Sequence, residues 1–462
     1  MSGKSVQIIK CRDDSEPAFL EEDSDEVGHF RLRDGDARSW LGEDGSIGPD
    51  RLRTRIEPWL TSIVQAEHLN LLVGSGLTQA VHLEAADKPL PGMSKCEFGI
   101  YAKEIDEAAR LAAQRASRAS GNIEDQIRVA NDLLRGMEIL NLGEAALADD
   151  ITRLNEELSS NLEKFVAGLL EGERGALTAE ETKRTAAFNL LVSFLMSFAS
   201  RIGTRDRLQI FTTNYDRFIE AGADLAGLHL IDRFVGKLAP LFRSSRLDID
   251  LHYNPPGIRG EPRFVEGVAR FTKLHGAIDW VDTGDSIVRV GMPFGADSVA
   301  PYMPTMRGGE RSGGRQLMIY PNASKDRETA AYPYVELFRD FASAICRPHG
   351  ALVCYGYGFG DEHINRVIED MLTIPSTHLV IISWDDPLNR IMDLYERVGR
   401  TAQITLLVGS HFGSLRQLVT HYLPKPAIDR ATSRMADLLK ARWGARQEAP
   451  SPPETGASGP VP

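Results

Sequence analysis

Two patterns of apolar residues alternate along the chain. Short, mostly apolar runs, such as Leu69 to Val73, end at glycine, asparagine or aspartate. Runs of this kind predict strands that are buried on both faces, as in a parallel sheet that helices cover on each side. Amphipathic segments separate the runs, which indicates strand–helix–strand crossovers. The pattern therefore predicts an α/β fold with a parallel sheet and helices on both faces.

The apolar runs also give approximate positions for the elements. The predicted strands cover residues 69–73, 208–213, 270–274, 317–320, 351–355, 378–383 and 404–408. The predicted helices between them cover residues 216–222, 334–346, 361–372 and 387–398. A stretch rich in Gly, Pro and Thr, from about residue 278 to residue 314, predicts a hairpin around WVDTGDSIVRVG.

A long stretch of helical periodicity interrupts this alternation. From Lys103 to Arg201, apolar residues recur at helical spacing and no Pro occurs inside the runs, which predicts three or four amphipathic helices. The predicted divisions are an N-terminal extension at 1–60, an α/β domain at 61–102 and 203–425, an inserted all-helical subdomain at 103–202, and a disordered tail at 444–462. Apolar stripes such as AFNLLVSFLMSF in the insertion predict a homo-oligomer. The alternative is that these stripes pack within the chain.

Composition and charge exclude several classes of protein. Hydrophobic residues make up 42% and charged residues 26% of the 462 positions, which is ordinary globular usage. A net charge of −12 argues against a dedicated nucleic-acid binder. The N-terminus has no signal-peptide pattern, and the most apolar segment, residues 188–202, is too short to span a bilayer, so a cytoplasmic location is expected. The four cysteines form no C-x-x-C pair, so a zinc ribbon is not indicated.

Two motifs follow strands in the first half of the α/β pattern. Gly74-Ser75-Gly76-Leu77-Thr78 joins a strand to a helix, and it fits either a phosphate cradle or a tight structural turn. Asn214 and Asp216, in Thr212-Thr213-Asn214-Tyr215-Asp216, lie where ligands bind in open α/β sheets. For this motif taken alone, capping of the helix that follows is the better explanation.

Two further motifs follow later strands. His275, in Lys273-Leu274-His275-Gly276, is placed at a strand tip by the glycine after it. Gly356 and Gly358 belong to a second glycine-rich turn, Tyr355-Gly356-Tyr357-Gly358-Phe359-Gly360, whose backbone N–H groups are able to face an anion. Asp361, next along the chain, is expected to cap a helix rather than to bind a metal.

In this order the four motifs GSGLT, TTNYD, KLHGAIDW and GYGFGDEHIN resemble the sirtuin-like family, and most of all its bacterial antiphage-defence branch. The stretch LPGMS, at residues 90–94, is similar to the loop that folds over the cofactor in that family. The resemblance covers residues 70–408, apart from the helical insertion. It implies a Rossmann-like NAD-binding domain that acts on NAD.

The resemblance implies a role for each matching residue. Asn214 and His275 would be catalytic at the nicotinamide ribose, and Asp216 would contact the nicotinamide amide. The remaining residues would bind the rest of NAD: Gly74, Ser75, Gly76, Thr78, Gly356 and Gly358 the pyrophosphate, and Ser383 and Trp384 the adenosine. The implied reaction is hydrolysis of NAD⁺ to nicotinamide and ADP-ribose, which serves defence by depleting NAD.

The chain also departs from the protein-deacylating sirtuins, because it has no pair of C-x-x-C motifs to hold their structural zinc. This absence favours plain NAD cleavage without zinc. An NAD-dependent deacylase and a non-catalytic module that senses NAD or ADP-ribose remain the alternatives. Because an ungated NADase would kill its host, the resemblance further implies a partner, either a HerA-type ATPase or another phage-sensing protein.

Overall fold

A ten-stranded mixed sheet runs through the molecule. The computed structural model describes residues 6–425, apart from residues 12, 24–25, 27, 34–39, 41–45, 91–93, 116–117, 119, 143–144, 202–204, 244–249, 254–262, 305–316 and 320–331. The predicted tail at 444–462 lies outside the described residues.

The strands and helices are numbered in chain order. The strands are β1 (Val6–Lys10), β2 (Ala18–Glu22), β3 (Phe30–Leu32), β4 (His68–Val73), β5 (Gln209–Thr212), β6 (His229–Ile231), β7 (Phe234–Val235), β8 (Leu241–Phe242), β9 (His252–Tyr253), β10 (Arg263–Phe264), β11 (Val268–Lys273), β12 (Gly276–Asp282), β13 (Ile287–Arg289), β14 (Leu317–Ile319), β15 (Gly350–Tyr355), β16 (His378–Ser383) and β17 (Ile404–Val408). The helices are α1 (Pro49–Val64), α2 (Ser75–Ala86), α3 (Ala102–Arg115), α4 (Ile123–Asn141), α5 (Ala148–Leu177), α6 (Glu181–Ala199), α7 (Phe218–Ala226), α8 (Tyr334–Ile345), α9 (Glu362–Leu372), α10 (Arg390–Val398), α11 (Ser410–Gly413) and α12 (Leu415–Gln417).

The strand order of the large sheet is β3-β2-β1-β17-β16-β15-β4-β5-β11-β6. All neighbours from β17 to β6 are parallel, and helices cover this part of the sheet, so the predicted α/β fold is confirmed. The first three strands are antiparallel, with β1 paired to β17. The sequence prediction missed this edge, because β1 contains Gln7 and Lys10, polar residues that the fold nonetheless buries.

Strand β4 lies between β5 and β15. The strands β5, β11 and β6 lie on one side of β4, and the later strands β15, β16 and β17 lie on the other side. Tyr355, Val73, Thr212 and Lys273 stand side by side in the register of four adjacent strands. The residues that follow these strand ends therefore gather at one edge, at the topological switch point where open α/β sheets bind ligands.

Most predicted elements agree with the structure, and two differ for local reasons. The predicted helix 216–222 begins instead at Phe218, whose N–H donates to Asp216 Oδ1. The predicted helix 387–398 begins instead at Arg390, because Leu388 and Asn389 have left-handed φ angles of 59° and 57°.

The helical stretch contains four α-helices, α3 to α6, as predicted. A capping box between Asn122 and Asp125 begins α4, and helices α3 to α5 share a small core of their own. In contrast, α6 packs into the core of the large sheet. Leu191 and Phe194 are fully buried there, so the AFNLLVSFLMSF stripe packs within the chain, which was the alternative. The apolar stripe therefore no longer supports a homo-oligomer, which stays a prediction.

A second, five-stranded sheet has the order β14-β12-β13-β8-β7. Its centre is the predicted hairpin, in which Trp280 of β12 pairs with Arg289 of β13. No helix among the described residues is long and apolar enough to cross a membrane.

Candidate functional site

The first glycine turn is tied to Asn214 through the Asn214 side-chain amide. Asn214 Nδ2 donates to the carbonyl oxygen of Gly74 at 2.9 Å and to Thr78 Oγ1 at 3.0 Å. Its backbone N–H donates to Thr212 Oγ1, and the residue is 8% exposed. Because a carbonyl oxygen can only accept, these bonds fix the orientation of the amide. The atom that remains to accept from water or a ribose hydroxyl is Asn214 Oδ1.

Asp216 continues this network. Thr78 Oγ1 donates to Asp216 Oδ2 at 2.6 Å, and the other carboxylate oxygen caps α7. All three side chains of the network, from Asn214, Thr78 and Asp216, are buried. The first and second motifs are therefore joined in one rigid unit, as their places on neighbouring strands predict.

The decisive feature is a side-chain contact between the third and fourth motifs. His275 Nε2 lies 3.0 Å from Asp361 Oδ2, and both side chains are almost wholly buried. Asp361 also caps α9, since its Oδ1 accepts from the N–H of His363. The predicted capping role is thus present, but it is only half of what Asp361 does. A carboxylate that holds a histidine in place is the arrangement that general bases use.

The two glycine turns pack directly on each other. The N–H of Gly74 donates to the Tyr355 carbonyl, and that of Gly76 donates to the Gly356 carbonyl, both at 3.0 Å. A Cβ on Gly76 would lie 2.5 Å from Gly356 Cα. These N–H groups are engaged within the protein, so the geometry assigns Gly74, Gly76 and Gly356 to close backbone approach rather than to direct donation to a phosphate.

Two other residues of the turns are better placed for a ligand. Ser75 is exposed at the start of α2, where the helix dipole favours an anion. Gly358 has nothing within 4 Å of the place that a Cβ would occupy. The predicted cofactor loop at residues 90–94 lies mostly outside the described residues, because 91–93 are not described.

The predicted adenosine residues follow β16 at the same edge. Ser383 is buried and its hydroxyl donates to the carbonyl of Asp385 at 2.8 Å. Trp384 is 52% exposed, and Gly413 packs against its backbone. The Trp384 ring is therefore accessible to a ligand, whereas the Ser383 hydroxyl already has an acceptor.

Sequence reasoning missed a cation at this edge. Arg390, the first residue of α10, lies against Gly360 of the second glycine turn. Its Nη2 atom is buried and receives no hydrogen-bond acceptor from the described residues. Burial and the neighbouring charge of Arg118 lower the pKa of Arg390. Arg118 is already paired with Asp125, so Arg390 is the cation beside the second glycine turn that retains a buried donor for an anion.

Part of the chain matches a known domain family. Residues 208–400 match the model of the SIR2-like domain. The matched SIR2-like region is less than half of the chain; it contains Asn214, His275 and Asp361 and begins after the first glycine turn. The match supports a sirtuin-like family and an NAD-related activity. No curated protein matches the chain significantly.

The chain contains four cysteines. None of the four cysteines forms a disulfide, and burial raises the pKa of the Cys96 thiol to about 11. Among the described residues, no three His, Cys, Asp or Glu side chains gather as they would around a metal ion.

Proposed function

We propose that the chain is an NAD⁺ glycohydrolase, which cleaves the bond between nicotinamide and ribose and releases nicotinamide and ADP-ribose. The observation that carries this proposal is the His275–Asp361 pair, at the same sheet edge as Asn214. The SIR2-like match supports NAD as the substrate.

The reaction requires few chemical groups. Water oxygen forms a bond to C1′ of the ribose, while the bond from C1′ to the nicotinamide nitrogen breaks. The electron pair of that bond stays with the ring nitrogen, so nicotinamide departs as a neutral molecule, and the proton of the water passes to a base. Because the transition state resembles an oxocarbenium ion, the site has to orient the ribose and to admit one water.

Asn214 and His275 fit these requirements. The fixed Oδ1 of Asn214 would accept from the water or from a ribose hydroxyl. Since Nε2 of His275 is engaged by Asp361, the water proton would be taken up at Nδ1. The Asp361 carboxylate would then stabilise the imidazolium that results. Asp216, held by Thr78, would orient the nicotinamide amide.

The test is product analysis with the purified full chain. NAD⁺ is incubated with the protein alone and with an added acetyl-lysine peptide, and the products are separated by liquid chromatography. We expect nicotinamide and ADP-ribose in equal amounts without the peptide. Cleavage that requires the peptide would identify a deacylase. NAD⁺ that binds but stays unconsumed, even after the protein encoded next to the chain is added, would identify a sensing module. Either result would overturn the proposal.

We propose in addition that this activity serves antiphage defence in the cytoplasm and is gated by assembly. The gate would be a homo-oligomer, a HerA-type ATPase or another phage-sensing partner. The support is the resemblance of the four motifs to the defence branch. Incubation of NAD⁺ with the chain, with and without the protein encoded next to it, tests the gate.

A further inference from the structure

A cavity of about 430 Å³ lies beside the site described above, since Arg217 and Lys273 line it and Lys273 Nζ donates to the backbone carbonyl of Asp216. It is bounded by α7, by β11 and by the five-stranded sheet. None of the residues assigned to NAD lines it. Its volume is in the range of sites that bind small organic molecules.

The cations that line the cavity have carboxylate partners. Arg217 pairs with Glu173 at 2.6 Å, and Lys273 pairs with Glu220 at 2.8 Å. Arg289 pairs with Asp232, and Arg233 with Asp340. Their charges are therefore already balanced within the protein.

Asp279 differs from these paired groups. It lines the cavity, it is 8% exposed, and its Oδ1 receives no hydrogen bond from any described residue. Oε2 of Glu220 is likewise buried and without a hydrogen-bond donor among the described residues. A buried carboxylate oxygen without a donor is costly, so a group that supplies donors here would be stabilised.

The two carboxylates are also close enough to repel each other. Burial raises the pKa of Glu220 to about 7, the nearby Lys273 opposes this shift, and the charge of Asp279 adds to it. Lys273 offsets one negative charge. Arg217 also faces Asp279 and Glu220, but Glu173 already balances its charge, so one carboxylate is left in excess. The excess selects a ligand that is positively charged and donates hydrogen bonds.

Part of the cavity wall is apolar. Phe234, Phe271 and Trp280 line the cavity, and the rings of Phe234 and Trp280 lie 4.8 Å apart. A bare metal ion would leave this wall without a contact. A cation with an aliphatic stem would fill it while placing its charged end on the carboxylates.

We propose that this cavity is a binding site for a small organic cation, such as a primary amine or a guanidinium on a short aliphatic chain, with Asp279 and Glu220 as its acceptors. The site does not depend on the proposed NAD⁺ hydrolysis, and its test needs no activity.

The test uses agmatine, which carries a guanidinium and an amine on a four-carbon chain. Binding is measured by isothermal titration of the full-length protein at about pH 8, above the pKa of about 7 of Glu220. We expect agmatine to bind, and the uncharged 1,5-pentanediol not to bind. Asp279→Asn should weaken agmatine binding by about tenfold or more, as expected when a buried charged acceptor is lost. Asp224→Asn, which changes an exposed carboxylate at the same cavity, is the matched control and should leave binding unchanged.

Urea unfolding of each variant shows whether it is folded. Because Asp279→Asn removes a repulsion from Glu220, it should not lower the free energy of unfolding. If it does, Glu220→Gln takes its place in the titration. The proposal is overturned if agmatine fails to bind the full chain, or if it binds equally well to the wild type and to the folded variants at Asp279 and Glu220.

Discussion

Replacing Asp361 by Asn separates the two tasks of this side chain. Its Oδ1 accepts from the N–H of His363 and caps α9, whereas its Oδ2 faces Nε2 of His275. In Asp361→Asn, the amide oxygen keeps the cap, so the amide nitrogen is turned toward His275. An amide nitrogen only donates, and Nε2 would have to accept. The proton of His275 would then move to Nδ1, the atom that is expected to take the proton from water.

The magnitudes follow from these contacts. Losing a general base lowers rates by about 10²–10⁴-fold. We therefore expect Asp361→Asn to slow NAD⁺ hydrolysis by at least about 10²-fold, or about 3 kcal/mol in the barrier. Because the cap is kept, the free energy of unfolding should change by less than about 1 kcal/mol. Asp361→Ala loses the cap as well and should cost about 0.5–2 kcal/mol of stability.

The assay is the initial rate of nicotinamide release, measured beside urea unfolding of the same samples. Glu362→Gln changes an exposed carboxylate in the first turn of the same helix and serves as the control, with an expected rate near that of the wild type. A wild-type rate for Asp361→Asn would refute the argument that this carboxylate sets the proton position on His275.

Three further predictions concern stability. Gly76→Ala should destabilise the fold by about 1–3 kcal/mol, since its Cβ would lie 2.5 Å from Gly356 Cα, whereas Gly358→Ala, with open space around it, should be tolerated in the same urea experiment. Lys273→Met leaves the partly buried Glu220, whose side chain is 28% exposed, without its counter-ion and should cost about 2–3 kcal/mol, which Glu220→Gln in the same chain should largely restore. Burial lowers the pKa of His378 from 6.5 to about 4. The contribution of this group to the free energy of unfolding is therefore fully present above about pH 6.5 and is lost as the pH falls. The loss should reach about 3 kcal/mol at pH 4. Urea unfolding across this pH range should show a smaller loss for His378→Gln.

The central strands could be predicted from sequence because their apolar residues are consecutive. The strands β4, β15, β16 and β17 are buried along almost their whole length, and apolar residues dominate each of them. The few polar residues inside them, such as Asn70 and Thr405, leave the apolar runs recognisable. The strand β1 escaped prediction for the opposite reason. It buries Lys10, whose amine donates to the carbonyl of Ile404 on the neighbouring strand, and such a tertiary contact leaves no mark on local hydropathy.

The sequence predicts where the candidate site lies, but it does not predict which side chains in the site contact each other. The order of strands and glycine turns places Asn214 and His275 at one edge. The pairing of His275 with Asp361, however, joins residues that are 86 positions apart, and the sequence around Asp361 already accounts for it as a helix cap. The GSG turn shows a similar limit. Its glycines match an anion-binding pattern, yet the contact that requires them is with the backbone of Gly356.

The most direct test of the account is the rate of NAD⁺ hydrolysis by Asn214→Ala and His275→Ala, measured beside the wild type and together with the melting temperature of each protein. We predict that both variants stay folded and that each loses NAD⁺ consumption, because one positions the water or ribose and the other accepts the proton. Wild-type turnover in both variants, at unchanged melting temperature, would contradict the proposed site.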